Sequence, residues 1–357
     1  MNAAKTQGSF VRDPNKKIKV DFERAPLKVR LKEKYLTLFF AKKVVWYLFR
    51  LILLIGISYV VLFPFITKIA GSFMEFQDFA DVTVRIVPKN FTFNTYVAIF
   101  NELDYVTAFA NTFMVSVGCA VIQTFVCCMI GYGFAKFKFK GSKLLFMLVM
   151  LTMIVPHPTL QLSLARNFQY FDLAGPINVI LGGPGLFEAL GMENGINMMN
   201  TYFPFIILSV FGLAFKNGLY IFLLRQFFRG VPDELEESAY IDGSGVIKTF
   251  IKIILPLSVP MLITVFLFAF SWQWTDTFYT NLFISPTTGM PLLTKLINET
   301  PSSLVREANS YAAVSELIFS AVRGTTGIMI ILPLVIVYVF CQKFLVQGIE
   351  RSGLTAD

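Results

Sequence analysis

Long apolar runs separated by short charged segments dominate the chain. Residues 44–65, 106–135, 144–165, 201–224, 253–275 and 324–342 each carry at most one charge: Arg50 in the first, Lys216 in the fourth and none in the others. A bilayer core takes about 20 apolar residues as a helix, so each run is long enough to cross one. None alternates apolar with polar residues, which is the mark of a membrane barrel. The pattern predicts an all-α polytopic membrane protein with six transmembrane helices. The first run follows a basic leader and has no small-residue cleavage site behind it, so it is expected to be retained as a span.

Composition agrees with that reading. Of 357 residues, 55% are apolar and 15% charged, with 39 Phe and one His, and the mean hydropathy is +0.64. Soluble domains carry about 25% charged residues. A disordered chain, a coiled coil and an ordinary soluble enzyme are excluded. Cys119, Cys127, Cys128 and Cys341 all lie in apolar stretches without metal-finger spacing, and no metal site is expected. Charge sets orientation. In a six-span arrangement one side collects 22 Lys and Arg (the leader, 136–143, 225–252 and the tail) and the other side 7. Positive residues stay inside, so both termini are expected in the cytoplasm. The net charge of +8 is then a topology signal. It suits contact with anionic membrane lipid, and no nucleic-acid partner is expected.

Residues 1–43 form a basic leader, either an amphipathic helix lying on the membrane or a cytoplasmic tail. Residues 44–105 hold the first span and an external segment, 106–349 the core, and 350–357 a cytoplasmic tail. The external stretch 166–200 is rich in Gly and Pro, which disfavour helix. It is expected to be an irregular loop with one short helix around Leu186–Leu190, and long loops of this kind tend to be functional. Arg50 and Lys216 are expected to snorkel toward an interface, the alternative being that they pair inside the assembly. His157, in "VPHP", reads as a core or pathway residue.

The most informative stretch lies between the fourth and fifth runs: "RGVPDELEESAYIDGSGVIKTFIKIILPLSVP". Asp233 followed by Glu236 has capping-box spacing, and Glu234, Glu236 and Glu237 suit a helix N-terminus. A short helix through about Tyr240 is predicted, stopped at Asp242-Gly243. A second, amphipathic helix follows, with Val246, Phe250, Ile253 and Ile254 on one face and Lys248 and Lys252 as its charges. Pro256 and Pro260 mark the start of the fifth span. The product is too short to be a domain. It reads either as an interfacial linker or as a docking helix for a cytoplasmic partner.

This segment resembles the EAA loop of ABC importer permeases, whose pattern is E-A-A, three residues, G, nine residues and I-x-L-P. Here Glu237-Ser238-Ala239 is followed after three residues by Gly243, and after nine more by Ile253-Ile254-Leu255-Pro256. Ser238 departs from the pattern but is also small. The resemblance narrows to the carbohydrate branch, the maltose-transporter-type subunit, through "LLRQFFRGVPDELEESAYIDG", "SWQWTDTFYTNLF" and "ILPLVIVYVFCQKFLVQGI", and it covers about residues 95–349.

The resemblance implies a type I ABC importer permease fold in a bacterial cell membrane. It implies a second permease subunit, two ATPase subunits, an extracytoplasmic sugar-binding protein and a sugar substrate. ATP and Mg would be held by the ATPases and no cofactor by this chain, which has no phosphate loop of the form G-x-x-x-x-G-K-[ST] and is not expected to be an enzyme. It assigns ATPase coupling to Glu236, Glu237, Ser238, Ala239, Asp242, Gly243, Phe250, Ile253, Leu255 and Pro256. Polar groups are costly in lipid, so Asn111, Gln123, Gln161, Gln273 and Asn281, with Trp272, Trp274, Asp276 and Tyr279 nearby, are candidates for the substrate pathway. The tryptophans also suit an aromatic belt at the membrane interface. The alternative is a permease of the same superfamily for a peptide, amino acid or phosphate.

Overall fold

The structure, a computed structural model, describes residues 38–172, 195–285 and 290–351. The leader's expected amphipathic helix and the expected helix around Leu186–Leu190 lie outside the described residues. The chain divides into two compact units, Met1–Phe65 and Ile66–Asp357.

The described part of the first unit is helical. It belongs to α1 (Leu38–Gly71), a 34-residue helix whose stretch between Arg50 and Lys68 is free of charge on every face. A helix without a polar face belongs in lipid or a large core. The guanidinium of Arg50 rests over the ring of Trp46, 5.1 Å from its centroid.

The second unit is built on α2 (Tyr105–Lys136), a 32-residue helix. Further along the chain come α3 (Ser142–Ile154), α4 (Gln161–Gln169), α5 (Phe203–Val210), α6 (Asn217–Arg229), α7 (Glu234–Ile241), α8 (Val246–Trp274) and α9 (Ser315–Arg351). Helices α6 and α8 pack on α2, and α9 packs on α8. The core between them holds Tyr132, Tyr220, Leu224, Phe228, Ile254, Met261, Val265 and Trp274. Among the described residues no strand forms; there are two isolated bridge pairs, Met74 with Phe91 and Phe171 with Ile196.

Prolines organise the contacts of α9. Pro333 has no N–H, so the Met329 carbonyl four residues back loses its helical donor. The Tyr105 hydroxyl donates to that carbonyl at 2.9 Å, and Trp274 Nε1 donates to the next one, of Ile330, at 2.8 Å.

Among the described residues four helices are long and apolar enough to cross a membrane: α1, α2, α8 and α9. The run 144–165 is interrupted. Helix α3 ends at Ile154, and the segment His157–Gln169 leaves it at 98°. Pro156 forces the residue before it toward extended backbone: Val155 has φ −65°, ψ 120°, and Pro156 itself is extended at φ −66°, ψ 126°. Counted as one span, this bent pair makes five. The run 201–224, expected as one helix, is two. Between α5 and α6 the chain turns through Gly212 (φ +68°) and Lys216 (φ +67°), a left-handed geometry that glycine adopts freely and lysine adopts at a cost.

Outside these helices, the loop after α1 is held by buried Asp78. Its carboxylate accepts from Lys89 N–H (3.0 Å), Asn90 N–H (2.9 Å) and Asn90 Nδ2 (2.7 Å). Glu102 accepts from Ser302 Oγ (2.9 Å) and Ser303 N–H (3.2 Å). It also accepts from the Ser303 hydroxyl and thereby caps the helix Ser302–Ser310; the Ser303 hydroxyl first, then the Ser303 N–H and Ser302 hydroxyl, hold the Glu102 carboxyl below its ordinary value.

Candidate functional site: the hairpin 232–256 and a central cavity

Helix α7 covers Glu234–Ile241, close to the expected span. The expected capping box does not form, because distant side chains take both carboxylates. Asp233 pairs with Lys136 Nζ at 2.5 Å, and the same ammonium donates to the Val231 carbonyl at 2.7 Å. This contact holds the Asp233 carboxyl below its ordinary value. Glu236 turns inward, 7% exposed, and its Oε1 accepts from the Tyr132 hydroxyl at 3.0 Å. The Tyr132 ring packs on Phe250 (4.7 Å between centroids) and edge-on to Phe228 (5.4 Å). One turn at the end of α2 therefore clamps both arms of the hairpin. Sequence reasoning missed Tyr132 and Lys136 as parts of this site; Lys136 had registered only as a topology charge.

Helix α7 ends as a Schellman motif. Gly243 N–H donates to the Tyr240 carbonyl (3.0 Å) and Ser244 N–H to that of Ala239 (2.9 Å), with Gly243 at φ +77°. A Cβ on Gly243 would meet nothing within 4 Å. Its requirement is the backbone conformation and not space within this chain.

The second arm does not stop at Pro256. Residues Val246–Trp274 run as one rod, with a π turn at Phe250–Ile254 just before the proline. Such wide turns are a usual way for a helix to absorb an interruption. The wide turn also sets which side is buried. Thr249, Phe250 and Ile254 face the core, while Ile253 and Leu255 are half-buried and Pro256 is exposed. Val246, expected on the same apolar face as Phe250 and Ile254, is 43% exposed, beside Ile247 (76%) and Ile251 (54%).

The hairpin thus presents Ile241, Val246, Ile247 and Ile251 outward, with Leu235 and Tyr240 partly exposed. Glu237, Ser238 and Asp242 are exposed, and Ala239 is buried. Apolar patches of this kind mark interaction sites.

The candidate pathway residues fall into two groups. Several spend their polar atoms inside the chain. Asn111 Nδ2 donates to the Pro291 carbonyl (3.1 Å) and buried Gln123 Nε2 to Ser209 Oγ (3.1 Å). Trp274, 1% exposed, is anchored to α9 as described. Asp276 caps the helix Phe278–Phe283 by accepting from the Tyr279 and Thr280 N–H groups at 3.2 and 2.8 Å. Gln161 and Asn281 are exposed and Gln273 is half-buried. Only Trp272 and Tyr279 line a cavity of about 740 Å³, where the bend after α3 meets the break between α5 and α6. His157 and Lys216 line it too. The Lys216 ammonium lies over the rings of Phe215 (4.8 Å) and Trp272 (5.1 Å). It points into the cavity region, where the sequence suggested snorkelling.

Comparison with known proteins decides the family. Residues 128–351 match the family model of the binding-protein-dependent transport system inner membrane component. The chain belongs to this family. The permease is also similar to Protein LplC of Bacillus subtilis (strain 168), at 27% identity, covering 82% of this chain and 89% of that protein. It is similar to the galactooligosaccharides transport system permease protein GanQ of the same organism, at 26%, covering 86% and 94%. Among solved structures, a chain from a bacterial ABC transporter involved in the import of the acidic polysaccharide alginate superposes with a TM-score of 0.59 at 20% identity. That match covers 85% of this permease and 97% of that chain. The fold is therefore that of an ABC permease, and the protein is a multi-pass membrane transport component, not an enzyme.

Proposed function

We propose that the permease is one of two membrane subunits of an ATP-driven, binding-protein-dependent sugar importer in a bacterial plasma membrane, with oligosaccharide as the cargo. The bent pair α3–α4 and the broken pair α5–α6 serve as the third and fourth of six spans, with both termini in the cytoplasm. Two ATPase subunits, which hold ATP and Mg, grip the hairpin from the cytoplasmic side. A sugar-binding protein delivers cargo from outside. The sugar-transport names of relatives that match nearly their whole length favour sugar over a peptide, amino acid or phosphate.

One observation carries the mechanism. The hairpin shows an apolar face outward, yet it is clamped to α2 through Tyr132 and Lys136 and is continuous with α8. A partner that moves this face moves two long helices as one body. Rigid-body motion of this kind converts ATPase closure into alternating access. Reconstitution with the partner permease, the ATPases and the binding protein tests the reading. Uptake of sugar should require all of them and ATP. Uptake by this chain alone, unaffected by ATP removal, would overturn it.

A further inference from the structure

The central cavity holds an unbalanced charge. Ile154, Leu160 and Leu208 give it apolar walls. Its ionisable lining groups are Lys216, His157 and Tyr279, with no acid among them. The described residues contain two ion pairs, and neither involves Lys216. Aromatic contact stabilises the ammonium but supplies no counter-charge, and an ionisable group in an apolar stretch of this kind is a functional-site candidate. The backbone at Lys216 is also left-handed, an unfavourable geometry for a residue with a Cβ, and strain of this sort concentrates at functional sites. The adjacent Asn217 lines the same cavity and is 1% exposed, and neither its amide nitrogen nor its amide oxygen has a partner. The cavity's volume falls within the range of small-ligand sites, roughly 300–1,000 Å³.

We propose that this cavity is a subsite for an acidic sugar. The Lys216 ammonium meets the carboxylate of a uronic acid unit while the Trp272 ring stacks on the sugar face. A neutral sugar would leave the charge as isolated as it is now. A carboxylate supplies the missing counter-charge, and a charge-assisted hydrogen bond is about twice as strong as a neutral one. This inference deepens the sugar-importer reading and rests on it.

The test uses the importer reconstituted with its partner permease, ATPases and binding protein. Radiolabelled trimers of galacturonate, glucuronate and mannuronate are compared with their neutral, carboxyl-reduced counterparts. Wild type is expected to take up at least one acidic trimer in preference to its neutral counterpart. Lys216→Met should lower the acid-to-neutral uptake ratio about tenfold or more, and Lys216→Arg should keep most of it. Failure to transport any acidic trimer overturns the proposal. So does a Lys216→Met ratio equal to that of wild type, or an equal loss of the ratio in Lys216→Arg. Failure of the importer reading itself appears separately, as ATPase activity that assembly with this chain and the binding protein does not change.

Discussion

The hairpin and the central cavity solve opposite problems. In the hairpin most polar groups have a nearby answer: Glu236 has Tyr132, Asp233 has Lys136, and the α7 carbonyls have the Gly243 turn, while the buried Thr249 hydroxyl has none. Its unsatisfied surface is apolar and faces outward. The cavity's apolar lining is partly open, with Ile154 75% and Leu160 40% exposed, and there it is the polar groups, Lys216 and Asn217, that are left over. A protein docking face lacks only area to bury, whereas a solute site lacks partners for specific atoms. The same chain therefore shows two kinds of incompleteness, which call for two kinds of partner.

Attacking the outward face should have the largest effect. Ile247→Asp places a charge at the centre of the apolar patch without touching the core, since Ile247 is 76% exposed. Central interface residues contribute about 2 kcal/mol or more, so ATP-driven uptake should fall by a factor of at least about 10, with the yield of folded protein unchanged. Size-exclusion chromatography with uptake assays checks both. Gly243→Val comes next. A β-branched residue at φ +77° has a backbone cost of about 1–2 kcal/mol, which displaces the second arm. Uptake should drop about tenfold while the spans stay folded.

Breaking the clamp should do less. Tyr132→Phe leaves the ring in place and removes the donor to Glu236, with an expected cost of about 1–3 kcal/mol for the orphaned buried group. Hydrogen exchange should rise in residues 234–254 before it rises in α2. The smallest effect belongs to pH. The Asp233 carboxyl is held below its ordinary value, so its contribution is complete above the usual carboxylate range and is lost as pH falls through the lowered folded value. The protection factors of the hairpin amides, with the intrinsic pH dependence of exchange divided out, should therefore be flat from neutral pH down to that range and fall only below it.

The two regions also differed in how far they could be read from the sequence. The hairpin was legible because its rules are local: a glycine after a short acidic helix, then an amphipathic repeat. The capping box failed for a reason no local rule contains, since Tyr132 and Lys136 lie about a hundred residues upstream and compete for the same carboxylates. The π turn divides that apolar face, with Phe250 and Ile254 buried and Val246 outward. The bend after α3 could have been read from Pro156. The break at Gly212–Lys216 was hidden in an uninterrupted apolar run, where composition reports hydrophobicity and not continuity. Because that break places Lys216 at the cavity, the residue was read as an interfacial lysine. Asn111, Gln123 and Trp274 looked like pathway residues for the converse reason: sequence shows that a polar group sits among apolar ones, but not that a neighbouring helix already satisfies it.

The claim on which the coupling account rests is that the outward face of the hairpin meets an ATPase. A photo-crosslinking amino acid at position 247, in the importer assembled in nanodiscs, tests it most directly. The account predicts a crosslink to an ATPase subunit whose yield changes between nucleotide-free and ATP-bound conditions. An importer that carries the substitution, still transports, and gives no crosslink to an ATPase in either condition would contradict it.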